Sequence, residues 1–130
     1  MITTQIISFE DAQLMALLGD ASDAELDAFD FGVIGFDTQT VVRRYNLFES
    51  TAAGLSPSRV LGNPLFSVVA PCMNNFLVAQ RFEDAAESGT ALDATIDYVL
   101  TLRMRPIKVK LRLLAAPGAA TRYVLVQRAR

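Results

Sequence analysis

Three side chains of this sequence offer chemistry together: the thiol of Cys72, the phenol of Tyr45 and the carboxyl of Glu49. Cys72 is the single cysteine of a chain with no histidine and no tryptophan, and it sits in the apolar turn VVAPCMNNF. Tyr45 and Glu49 stand four residues apart in RRYNLFES. One nucleophile and two hydrogen-bonding acids, all in or beside apolar sequence, suit a pocket that holds a small ligand better than one that hydrolyses a substrate. Each residue also has a plainer reading. A lone cysteine usually behaves as a small buried hydrophobe, Tyr45 can be ordinary strand packing, and Glu49 a solvated turn residue. Favouring the first view, Cys72 follows a proline at what reads as a helix start, where backbone N–H groups support a thiolate. Glu49 lies between Leu47-Phe48 and the small-residue run STAAG, which would draw it inward. A buried, protonated carboxyl and a phenol are both donors, and aimed at one anionic oxygen they would hold a phenolate.

The missing residue types narrow the field. Without histidine there is no Ser-His-Asp or Cys-His pair and no His-based metal or haem site. One cysteine makes neither an intrachain disulfide nor a thiolate metal cluster. GVIGFD has the wrong spacing and context for a phosphate loop, and the carboxylate pairs Glu83/Asp84 and Asp23/Glu25 read as solvated. A net charge of −2 argues against nucleic acid, which selects a positive stripe. In the one basic run, RMRPIKVKLR, charges alternate with apolar residues as on a solvated sheet face. No apolar stretch approaches the roughly 20 residues of a membrane span, and MITTQIISFEDAQ lacks the basic start of a signal peptide. The expectation is a cytoplasmic chain of 130 residues forming a single domain.

The elements that must position the trio follow from periodicity. ISFEDAQLMALLG puts Phe9, Leu14, Leu17 and Leu18 on one helical face, with Asp11 near its start and Gly19 as its stop. A short turn DAELDAF follows, with Ser22 as cap and Glu25 as its reciprocal partner. Residues 1–28 thus form an N-terminal cap, too poor in apolar residues to stand alone. FDFGVIGFD and VVRRYN make a hairpin, with Phe31, Val33 and Gly35 to one side. Small helices follow, SPSRVLG among them, up to the Pro71-Cys72 turn. FLVAQRFEDAAESG is the clearest helix, with Phe76, Ala79, Phe82 and Ala86 recurring on one face and Gly89 closing it. Three strand patterns end the chain; in KVKLRL, Val109, Leu111 and Leu113 face one way and Lys108, Lys110 and Arg112 the other. The order predicts an α+β fold: a five-stranded antiparallel sheet with helices on one face, an N-terminal helical cap, and a ligand-sized hollow between small helices and sheet.

Across about residues 9 to 128 the chain resembles the photoactive yellow protein family, blue-light receptors built on a PAS domain. The resemblance rests on FDFGVIGFD, RRYNLFE, SPSRVLGNPLF, FEDAAESG, IDYVLTLRMRPIKVKLRL and YVLVQR, and most specifically on VAPC together with the YNxxE segment. It implies a PAS fold and a p-coumaric acid (4-hydroxycinnamic acid) chromophore held as a thioester on Cys72. It places Tyr45 and Glu49 against the chromophore phenolate, Tyr98 beside it, and Met104 where thermal recovery is assisted. In the family, light isomerises the chromophore double bond, a proton passes from the glutamic acid to the phenolate, and the stranded carboxylate loosens the N-terminal cap. A buried anion without its partner must be rehydrated, and a cap outside the sheet is the element most easily released.

Two residues depart from the family pattern. Ala53 stands where a threonine supports the tyrosine, removing a hydrogen bond typically worth about 0.5–1.5 kcal/mol. Leu55 replaces an arginine that lids the ring, which exchanges a cation for an apolar cover. Altered colour and cycle rate are expected. The implied partners are an unidentified downstream signalling protein and at most a weak homodimer, with no membrane, no nucleic acid and no enzymatic activity. The alternative is a PAS-type ligand-sensing or interaction module without a covalent chromophore.

Overall fold

The computed structural model describes residues 7–101 and 105–128. The chain order is α1 (Leu14–Asp20), α2 (Asp23–Leu26), β1 (Gly32–Phe36), β2 (Val42–Tyr45), α3 (Leu47–Ala53) and α4 (Pro57–Val60). A π-helical turn (Leu65–Val69) and a 3-10 turn (Pro71–Met73) lead to α5 (Ala79–Ser88), β3 (Leu92–Leu100), β4 (Ile107–Ala115) and β5 (Arg122–Arg128). The five strands pair antiparallel in the order β2-β1-β5-β4-β3, the α+β PAS arrangement that the sequence predicts.

Alternating side chains send two apolar sets to opposite faces of this sheet. Ile34, Phe36, Leu111, Leu113, Val124 and Val126 pack under α3–α5 with Phe66 and Phe82. Phe31, Val33, Leu114, Tyr123 and Leu125 face the other way and are covered by Phe9, Leu14, Leu18 and Leu26 of the N-terminal segment. Ser22 and Glu25 form the reciprocal capping box of α2 that the sequence predicts, and Gly89 closes α5 at φ 67°.

Several details differ from expectation. Gly19 lies within α1, which stops at Ala21. Asp11 sits in the preceding turn, where its carboxylate accepts from the Gln13 N–H. The core face of α5 is Val78, Ala79, Phe82 and Ala85, while Phe76 is 76% exposed. Asn75 explains the change, because its side-chain oxygen takes the Leu77 and Val78 N–H groups and turns the chain before the helix begins.

The larger correction concerns Arg112. Lys108 and Lys110 on that face of β4 are exposed as expected, but Arg112 is 5% exposed beneath the N-terminal segment. Its guanidinium makes a two-pronged pair with Asp93 at 2.9 Å and donates to the Phe9 and Asp11 carbonyls at 2.8 Å. Arg44 does the same from β2, donating to the Leu18 and Ala21 carbonyls and pairing with Asp23. Two sheet arginines therefore pin the N-terminal segment through its backbone, in addition to its apolar contacts.

Candidate functional site

α3 begins at Asn46, the residue that organises this end of the sheet. Asn46 is 1% exposed, and its side-chain oxygen accepts from the Glu49 N–H at 3.1 Å, capping α3, and from the Val33 N–H at 2.9 Å. Its amide nitrogen donates to the Leu26 and Phe31 carbonyls at 3.0 Å each. One buried amide thus joins α2, β1 and α3, and it sets the direction in which α3 carries Glu49.

Glu49 is drawn inward, with 2% exposure. Its carboxyl lies over Gly32 of β1, where an added Cβ would come within 2.0 Å of Oε1, so only glycine leaves room for it. Instead of standing as a free donor, the carboxyl accepts two parallel bonds from Arg128, at 2.7 and 3.0 Å. Burial pushes the Glu49 carboxyl above the usual carboxylate range, and the guanidinium of Arg128 opposes that rise. The paired contacts are those of a carboxylate on a permanently charged guanidinium. Arg128 Nε is also buried and finds no hydrogen-bond partner among the described residues.

Tyr45 ends β2 opposite Ile34, 8% exposed, on the same sheet face. Burial, and after it the charge of Glu49, push its phenol up, with Arg128 opposing. Sheet register brings Tyr98 to this region too: it pairs with Val109, which pairs in turn with Arg128. The Tyr98 hydroxyl donates to the Cys72 carbonyl at 2.5 Å and accepts from the Asn75 amide at 2.6 Å, and that amide also reaches the Cys72 carbonyl at 3.2 Å. Cys72 is half-buried and, like Leu55 and Tyr98, packs against the core cluster that contains Tyr45. Its helical turn has only three residues, so the dipole support expected from a helix start is lacking here.

Ala53 and Leu55 line a cavity of about 520 Å³ with Arg59, Asn63 and Val69. Tyr98 lines a second of about 670 Å³ with Leu77 and Val99, and Tyr45 a cleft of about 220 Å³ with Asn46 and Pro57. Met104 lies outside the described residues. The structure thus gathers Tyr45, Leu55, Cys72 and Tyr98 around one apolar core, with Glu49 buried and Ala53 and Leu55 lining the cavity of about 520 Å³.

Sequence reasoning missed Arg128, Asn46, Asn75 and Gly32. The polar-first motif N-x-x-E at Asn46 and the glycine preceding an apolar strand run carry some signal. Arg128 carries none, since it terminates a strand as many exposed arginines do.

What the arrangement offers an incoming group is a buried carboxyl, a phenol and an orphaned guanidinium N–H, with Cys72 packed against the same core. That donor set fits a small aromatic with an oxygen at one end and an acyl attachment at the other. Among the described residues no cluster of histidine, cysteine and carboxylates could hold a metal, and no helix is long and apolar enough to cross a membrane.

No protein-family model matches the chain. Individual proteins do. It is 30% identical over 124 residues to photoactive yellow protein of Rhodothalassium salexigens, covering 95% of this chain and 98% of that one. It is 30% identical over 123 residues to photoactive yellow protein of Halochromatium salexigens, with coverage of 95% and 98%. Among solved structures, the photoactive yellow protein domain of the sensor histidine kinase Ppr from Rhodospirillum centenum superposes with a TM-score of 0.79 at 35% identity, over 87% of this chain and 98% of that one. The Rhodobacter sphaeroides LOV protein, at 19% identity and a TM-score of 0.56, shares the fold alone. The chain belongs to the photoactive yellow protein family, as a divergent PAS-type sensory domain.

Proposed function

We propose that this domain is a non-enzymatic light receptor that carries a p-coumaroyl group as a thioester on Cys72. The observation that carries the reading is the burial of Glu49 beside Tyr45 at the edge of the core against which Cys72 packs. Family membership supports it, because the relatives of similar length are photoactive yellow proteins.

In this reading the Cys72 thiolate attacks the acyl carbon of an activated hydroxycinnamoyl thioester and the activating thiol leaves. The bound group would supply a double bond that isomerises on absorbing light. Tyr98 and Asn75 hold the Cys72 backbone, fixing the attachment point. Tyr45 and Glu49 receive the ring-oxygen end, where a proton is exchanged with the Glu49 carboxyl. Ala53 and Leu55 give the adjoining cavity an apolar wall beside Arg59 and Asn63. A change in charge at Glu49 reaches the N-terminal segment through Asn46, whose side chain touches both the Glu49 N–H and the Leu26 carbonyl. Signal output then passes to a separate protein or a fused domain; the Rhodospirillum centenum relative is part of a sensor histidine kinase.

A second reading, a PAS module that senses an unattached ligand, is favoured by one observation: Arg128 already occupies the Glu49 carboxyl. Intact mass spectrometry separates the two. Wild-type protein incubated with the activated p-coumaroyl thioester should gain one hydroxycinnamoyl mass, and Cys72→Ala should gain none. A wild-type protein that stays unmodified while binding free p-coumaric acid would replace the first reading with the second.

A further inference from the structure

The cavity of about 520 Å³ is built from three separate segments, and neither Tyr45, Glu49, Cys72 nor Tyr98 lines it. Leu55 follows α3, Arg59 and Val60 belong to α4, and Val68 and Val69 come from the π-helical turn. Backbone bonds hold these walls in place. Leu55 is tied to Ser50 through both its N–H, at 3.2 Å to the Ser50 carbonyl, and its carbonyl, at 2.8 Å from the Ser50 hydroxyl. The wide turn is closed by the Val69 N–H on the Pro64 carbonyl and the Ala70 N–H on the Leu65 carbonyl, at 3.1 and 2.7 Å. Such turns are rare and recur at functional sites; this one brings two successive valines to one cavity.

The polar lining has a single sign. The guanidinium of Arg59 is exposed and makes no hydrogen bond or ion pair with any described residue. Only its backbone is engaged, where the Asn63 amide donates to the Arg59 carbonyl at 2.8 Å. That amide nitrogen carries a second N–H, and Ser58 adds a hydroxyl. No carboxylate lines the cavity. A cationic ligand would meet Arg59 as a like charge, and a wholly apolar one would leave the guanidinium without an anion. An acid with an apolar body answers both sides: its carboxylate takes a charge-assisted pair from the guanidinium, and its body covers Leu55, Val60 and Val69.

We propose that this cavity is a second, non-covalent binding site for a small monocarboxylic acid with an apolar body, its carboxylate held by Arg59 and Asn63. The site goes beyond the thioester reading, because the thiol takes no part in it. Leu55 and Val69 also pack against the core cluster that Cys72 joins, so an occupant shares a wall with the attachment site.

The test uses cinnamate, which lacks the ring oxygen that the Tyr45 and Glu49 end would receive, and its methyl ester as the uncharged control. Both are titrated into unloaded wild type and Cys72→Ala by calorimetry and by methyl NMR. Cinnamate should bind the two proteins equally, and its ester about three- to tenfold more weakly, the range for one partly exposed guanidinium–carboxylate pair. Arg59→Gln should weaken the acid by that factor and leave the ester unchanged, while Arg59→Lys should retain part of the difference. Added salt should weaken the acid alone. Methyl shifts should centre on Leu55, Val60 and Val69. No saturable binding up to about 10 mM overturns the proposal, as does equal affinity for acid and ester in wild type. Binding lost in Cys72→Ala, or shifts centred on Ile96 and Val109, would put the acid in the attachment pocket and also overturn it. The thioester reading is decided by mass gain on Cys72, so either can fail while the other stands.

Discussion

Gly32→Ala tests the site at its tightest point. An ideal Cβ there would lie 2.0 Å from Glu49 Oε1, 3.0 Å from Cδ and 3.2 Å from the Glu49 Cβ. Because the side chain is blocked along its length, a small rotation does not clear the clash, and the carboxyl must leave Arg128. Breaking a buried pair costs about 3–5 kcal/mol when one charge is stranded. Arg128 keeps some access to water at 14% exposure, which lowers the expected loss to about 2–4 kcal/mol. The usual strand benefit of alanine over glycine returns about 0.5–1 kcal/mol, leaving a net destabilisation of about 1–3.5 kcal/mol. With a urea m-value of about 1.5 kcal/mol per molar, the midpoint falls by about 0.7–2.3 M. In a Glu49→Ala background only the 3.2 Å contact with the Cβ of residue 49 remains, so Gly32→Ala should cost little there and the double-mutant cycle should give a coupling of about 1 kcal/mol or more. Purely additive effects, or a single variant within about 0.5 kcal/mol of wild type, would show that Glu49 does not lie against β1.

Three further perturbations address the elements around it. Asn46→Ala removes four buried hydrogen bonds and should cost about 3–5 kcal/mol at roughly 1 kcal/mol each plus desolvation of the stranded groups, read as a fall in thermal midpoint; a loss under about 1 kcal/mol would rule out its role as a hub. Arg112→Gln deletes the charged contacts to the Phe9 and Asp11 carbonyls, and a loss of about 2 kcal/mol of local stability should speed hydrogen exchange of the N-terminal segment roughly thirtyfold without matching changes in β5. The Tyr45 phenol is raised in the folded state by burial and by Glu49, so its contribution is complete below the unfolded value of about 10 and is lost as pH climbs through the folded one; urea titrations between about pH 9 and 11 should show stability falling, and Tyr45→Phe should flatten that slope.

Local rules explain what was readable along the chain. Ser22 with Glu25, the left-handed Gly89 and the alternation of Val109, Leu111 and Leu113 depend on neighbours within a few residues, and all three appear as read. Arg112 and α5 show where such rules stop. An alternating Arg112 looks solvated until a distant segment folds over it, and Phe76 fits a helical period until the Asn75 side chain turns the chain beneath it.

By itself the sequence determined which chemistry was available: a lone thiol, a phenol and a carboxyl without histidine, on strands and short helices of the PAS order. Only the tertiary structure decided the company that the carboxyl keeps. Arg128 stands 79 residues from Glu49 in the chain, and they meet because β5 pairs with β1 while glycine at position 32 leaves a gap one carboxyl wide. Periodicity cannot report such a meeting. The energy of a buried charge depends on which partners the sheet register brings within hydrogen-bonding reach, and register is a property of the assembled sheet.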